Sequence, residues 1–96
     1  MGQQQDLFQG FKFPRTSEQE VLLTLITQGY VSIFDFSYLS GFRTRVSQLQ
    51  TVHGLSLDRV LDKRHNKFGN VYSYAIHKLP ESEKEKAINL YNKLNS

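Results

Sequence analysis

The spacing of apolar residues changes twice along this chain, and that change limits the folds open to it more than any single motif does. Up to Gly54 the apolar side chains recur at three- and four-residue steps, which gathers them on one face of a helix. From Leu55 to Leu79 the helical step is lost, and a run rich in Val, Tyr and Ile begins directly after Gly69-Asn70, as in the second strand of a hairpin. After Pro80 the helical step returns. A chain of 96 residues is long enough for one compact core and too short for two, so the helices and the hairpin must share it.

Residues 1–16 hold Gln3, Gln4 and Gln5, two glycines, Pro14 and three phenylalanines without useful periodicity, and are expected to form a flexible arm. Ser17 with Glu20 reads as a capping box, Val21, Leu22, Leu25 and Ile26 follow on one face, and Gly29 supplies a stop, so a first helix is expected over 18–28. A very short strand at 30–31 leads to a second capping pair, Ser32 with Asp35, and a two-turn helix carrying Ile33, Phe36 and Leu39 as far as Ser40-Gly41. The β-branched and aromatic residues of 30–36 also suit an extended strand, which periodicity over seven residues does not separate from a helix. Phe42, Val46, Leu49 and His53 line one side of a third helix that Gly54 ends. Strands are expected over 55–62 and 71–79 with a long charged tip between them. Their buried face stays open, because Tyr72, Tyr74 and Ile76 compete with Val71, Ala75 and Leu79. The last stretch, 81–95, carries Ala87, Leu90, Tyr91 and Leu94 on one stripe and pairs Glu83 with Lys86 across a turn. That stripe either closes the monomer core or makes a two-fold interface, a homodimer through the C-terminal helix. The expected class is α+β, mainly α: three helices, a β-hairpin and a C-terminal helix, divided as arm 1–16, core domain 17–79 and terminal helix 80–96.

The net charge of +3 discriminates little, but its distribution does. From Arg43 to Lys78 there are seven basic and two acidic residues, whereas residues 1–42 hold two basic and four acidic ones. A localised cationic surface is the footprint of a phosphate binder. Cysteine is absent, which excludes disulfides and thiolate metal sites. No apolar run approaches the roughly 20 residues of a membrane span, and the first 20 residues lack the apolar core of a signal peptide. A soluble protein of the bacterial cytoplasm, associated with the nucleoid and not with a membrane, is expected. Asp6 stands where a myristoylation motif needs Ser or Thr.

The segment Tyr38-Leu39-Ser40-Gly41-Phe42-Arg43-Thr44-Arg45-Val46-Ser47-Gln48-Leu49 resembles a helix-turn-helix, with a small residue and glycine at the tight turn, an apolar docking residue, and a polar face bearing arginine. With the hairpin that follows, residues 17–79 resemble the small winged helix-turn-helix DNA-binding proteins of bacteriophages and mobile elements. The resemblance implies that the third helix enters the major groove of double-stranded DNA while the hairpin tip touches the backbone or minor groove. Arg43, Arg45 and Gln48 can make the bidentate pairings that separate guanine or adenine from other bases, and Thr44, Ser47 and Thr51 are short enough to let the helix approach. Lys63, Arg64, His65, Asn66 and Lys67 at the tip would neutralise phosphates in a sequence-independent, salt-sensitive way. The expected role is a sequence-specific regulator of transcription or replication. The alternative is a protein-interaction module that binds a host factor through its arm. For that, Gln4-Gln5-Asp6-Leu7-Phe8 resembles the short peptide by which proteins dock on the bacterial sliding clamp: Leu7 and Phe8 would fill an apolar pocket, with Gln4 and Asp6 as polar contacts, although Gln5 departs from the commoner Leu.

Catalytic motifs are missing: there is no nucleophile elbow, Gly-rich phosphate loop or pair of catalytic carboxylates. His53, His65 and His77 lie twelve residues apart, unlike the close pairs of a metal-binding helix, and His53 suits the dipole at the end of the third helix. No catalytic residue, metal or cofactor is expected.

Overall fold

The computed structural model describes residues 10–96. It is a small α+β domain with three α-helices and a three-stranded antiparallel sheet. Among the described residues no helix is long and apolar enough to cross a membrane.

Helix α1 spans Ser17–Gln28, and its cap is Thr16, one residue earlier than the expected Ser17: the Gln19 backbone N–H donates to Thr16 Oγ1 at 3.2 Å. Both residues begin a Ser/Thr-x-x-Glu/Gln pattern. The choice between them falls to the buried Gln19, whose amide is committed to distant backbone: its Nε2 donates to the Leu94 carbonyl. Val21, Leu22 and Leu25 are fully buried. Gly29 ends the helix at φ 91°, a left-handed conformation that a side chain disfavours, while its N–H caps the Leu25 carbonyl.

Strand β1, Tyr30–Ser32, is one residue longer than expected. The Ser32–Asp35 capping box forms, with the Ser32 N–H donating to Asp35 Oδ2 at 2.8 Å, but it starts only a single 3-10 turn, Ile33–Phe36. The expected two-turn helix to Leu39 is thus replaced by a short turn, which leaves three α-helices among the described residues. Among Ile33, Phe36 and Leu39 only Phe36 is fully in the core, where its ring stacks on Phe42 at 5.6 Å. Gly41, at φ 85°, turns the chain into α2, Phe42–Thr51, which buries Phe42, Val46 and Leu49 as the periodicity requires.

The hairpin consists of β2, Asp58–His65, and β3, Val71–Lys78, and the sheet order is β1-β3-β2. Register runs from Asp58 opposite Lys78 to His65 opposite Val71. The first strand therefore starts three residues later than expected. Leu55 is not a strand residue but a core residue, 2% exposed, and its N–H donates to the Leu49 carbonyl at the end of α2.

A 3-10 turn, Glu81–Glu83, leads into α3, Lys84–Leu94. Ala87 and Tyr91 are fully buried and Leu90 and Leu94 lie against the same core, so the apolar stripe closes the monomer. Core closure is the first of the two uses expected for that stripe. Residues 11–15 also belong to the folded unit, against the expectation of an arm reaching to residue 16: Phe11 meets Tyr91 edge-on at 5.7 Å, the Tyr91 hydroxyl donates to the Lys12 carbonyl, and Asn95 Nδ2 donates to the Phe13 carbonyl at 3.0 Å. The peptide-like residues Gln4, Asp6, Leu7 and Phe8 lie outside the described residues.

Candidate nucleic-acid interface

The outward face of α2 is a strip of short polar side chains with longer ones at its edges. Thr44, Ser47 and Thr51 are exposed along the middle. Thr51 folds its hydroxyl back onto the Ser47 carbonyl at 2.9 Å, which keeps that part of the strip low. Arg43 lies on the hairpin side of the strip, where Ser47 and Gln50 join it in lining one groove. Arg45 and Gln48 lie on the other side, against the start of α1, and Arg45 donates to Gln48 Oε1 at 3.2 Å. The six residues expected on this helix are therefore held together on one element but fall into two edges and a centre. Arg45 and Gln48 act as a pair, because each satisfies part of the other's hydrogen-bonding capacity.

The hairpin departs from its expected form. Lys63, Arg64 and His65 are in β2 and not in a mobile tip. Only Asn66 and Lys67 lie in the connection, and Asn66 is spent on shaping it: its Oδ1 accepts from the Phe68 and Asn70 backbone N–H groups at 2.9 and 3.0 Å. Alternation along the strand then separates the remaining cations. Arg59, Lys63 and His65 share the face whose cross-strand partners are His77, Ser73 and Val71. Arg64 points the other way, and its guanidinium lies over the Phe34 ring, 4.2 Å from the centroid. Phe34 in turn meets Tyr74 edge-on at 4.8 Å. Arg64 is thus held as a packing cation on the opposite sheet face from Lys63.

Between α2 and the hairpin runs a groove of about 480 Å³. Arg43, Ser47 and Gln50 form its helix wall and Arg59, Ser73 and His77 its sheet wall, and among the described residues no carboxylate lines it. His77 is opposite Val31 on one side and Arg59 on the other. Burial, then the charges of Arg59 and Arg43, hold the imidazole below the ordinary value of 6.5. Its Nδ1 is buried and has no hydrogen-bond partner among the described residues. Gln50, Arg59 and His77 were not among the residues singled out from sequence. Gln50 lies seven residues after Arg43 and three after Ser47, a helical spacing that could have disclosed it, whereas Arg59 and His77 depend on the strand register.

The other histidines do not join this groove. His53 Nε2 lies 3.4 Å from Glu18 Oε2, linking the end of α2 to the first turn of α1. Among the described residues no three His, Asp or Glu side chains converge on a point. Compared with protein families, curated proteins and solved structures, the chain matches none.

Proposed function

We propose that this domain is a winged helix-turn-helix that binds double-stranded DNA, with α2 laid in the major groove and the hairpin against the backbone. The observation that carries the reading is the outward face of α2: short Thr and Ser side chains in the centre, arginines on both edges, and no acidic residue on the whole helix. Short side chains allow a helix to come close to base edges, and arginine at the margins reaches guanine or phosphate. The element order supports the same reading, since a helix, a short strand, a turn, a helix and a hairpin follow one another as in that architecture. The cations of β2 extend the positive surface from the helix along the sheet.

Selection of bound sequences from a random duplex pool, followed by anisotropy titrations, tests this. An enriched site is expected, and Gln48→Ala should weaken that site by about 1–3 kcal/mol while nonspecific binding changes far less. Failure to bind any duplex at low salt would remove the reading.

A further inference from the structure

The groove between α2 and the hairpin holds an electrostatic imbalance. Arg43 and Arg59 face it from opposite walls. Neither guanidinium meets a carboxylate or a hydrogen-bond acceptor among the described residues. Arg45 has Gln48 and Arg64 has an aromatic ring, so the two groove arginines stand apart from the others on α2 and β2. The hydroxyls of Ser47 and Ser73 and the amide of Gln50 add donors to the same walls. A concave site with two converging guanidiniums, neutral donors and no counter-charge is built for one oxyanion.

We propose that this groove seats one backbone phosphate of the duplex between Arg43 and Arg59, and that His77 beneath them takes up a proton as the phosphate enters. The inference rests on the reading of the domain as a duplex binder, and adds to it which phosphate seat is used and how occupancy is regulated.

The charges around His77 decide the direction of the coupling. Arg43 faces it from α2 and Arg59 from β2; β1 offers Val31, the α2 side offers the Phe42 ring at 6.1 Å, and its neighbours on the same face of β3 are Ser73 and Ala75. Lys78 and Asp58 form the adjacent register pair, on the opposite sheet face. In the free protein burial, then the charges of Arg59 and Arg43, oppose a third positive charge, so the ring favours its neutral form, and its buried Nδ1 has no hydrogen-bond partner among the described residues. A phosphate between the arginines offsets part of that positive charge and so eases the opposition to protonation, and the bound complex then holds more proton than the free protein at the same pH. By linkage, affinity rises as pH falls.

The test uses the full chain. The imidazole resonances of His77 are followed by NMR against pH, alone and with saturating duplex, and duplex affinity is measured by anisotropy at pH 7.5 and 6.0. One coupled proton limits the gain to about tenfold per pH unit, so about three- to tenfold tighter binding at pH 6.0 is expected. The His77 midpoint should rise on adding duplex. His77→Gln should flatten part of the pH response, and its difference from wild type separates this proton from those at His53 and His65. Arg59→Gln should lower the log-log salt slope by about one and shrink the same pH response. Thermal melts confirm that both variants fold. Duplex binding with an unmoved His77 midpoint and an Arg59→Gln slope equal to wild type overturns this proposal and leaves the DNA-binding reading intact, whereas absence of duplex binding overturns both.

Discussion

Asn95 is the place where the first ordered residues, α1 and α3 are tied into one unit, and its replacement by Ala should cost more than any other polar substitution in the domain. The side chain is 2% exposed. Its Nδ2 donates to Gln19 Oε1 at 2.8 Å and to the Phe13 carbonyl at 3.0 Å, and its Oδ1 accepts from Arg15 Nε at 3.2 Å. Alanine removes all three bonds. The Gln19 oxygen keeps the Arg15 backbone N–H at 2.8 Å, and the Arg15 guanidinium keeps the Asn95 carbonyl at 2.8 Å, so the damage is partly contained. At about 0.5–1.5 kcal/mol net for each neutral bond, and the low end for the bond to an exposed arginine, the loss comes to about 1.5–3.5 kcal/mol. For a domain of this size that lowers the melting midpoint by about 10–20 °C. Urea and thermal unfolding followed by far-ultraviolet circular dichroism measure it. Asn95→Asp serves as the internal check, because it keeps an acceptor for Arg15 but turns a carboxylate toward the Phe13 and Gln19 oxygens. It should also destabilise at pH 7, and partly recover when the carboxyl protonates. A loss below about 0.5 kcal/mol for Asn95→Ala would show that residues 11–15 and α3 are not cooperative with α1.

The other expectations concern the core, the hairpin and pH. Leu49→Ala, at a fully buried position of α2, should destabilise by about 2–5 kcal/mol in the same unfolding assay. Lys63→Ala and Lys67→Ala should each flatten the salt dependence of duplex binding, while Arg64→Ala should leave it nearly unchanged and instead cost about 0.5–1 kcal/mol of stability through its lost stacking on Phe34. Because the folded state holds His77 below its ordinary 6.5, the unfolded chain binds a proton that the folded chain declines, so this residue's contribution to stability falls as pH drops through 6.5 and levels off below the folded value. Chemical denaturation of wild type and His77→Gln at pH 7.5, 6.5 and 5.5 should show a smaller acid loss in the variant.

The helices were legible because their signals are local. Val21, Leu22, Leu25 and Ile26, and then Phe42, Val46 and Leu49, sit where a 3.6-residue period puts them, and all are buried. What the sequence left ambiguous was decided by contacts between distant residues. Thr16 prevails over Ser17 as the cap because Gln19 is drawn to Leu94 and Asn95. The strand before the turn could not be located from alternation, since every residue of Asp58–His65 is exposed and the strand has no apolar face to reveal. Its ends are set by β3 and by the Asn66 turn. The same cause hid half of the candidate site: Arg43, Thr44, Ser47 and Thr51 follow from helical spacing, whereas Arg59 comes beside Arg43 only once the register puts it opposite His77.

That exposed strand also bears on where the positive charge lies. In the order β1-β3-β2, β2, eight residues long, is an edge strand that pairs with β3 alone among the described residues. Such an edge invites pairing with another chain unless charged side chains make the encounter unfavourable. Asp58, Arg59, Asp62, Lys63 and Arg64 supply that protection on both faces. Asp62 is answered locally: the Lys63 backbone N–H and then the Tyr74 hydroxyl donate to it and hold its carboxyl below the usual range. Arg64 is answered by Phe34. Among the described residues Arg59 has no such answer, and Lys63 on the same face has none either, so the side chains that guard the edge leave a net positive face on the groove side of the hairpin. A requirement of folding, keeping an edge strand solvated, thus supplies charge that the proposed DNA contact needs, in a chain of only modest overall charge.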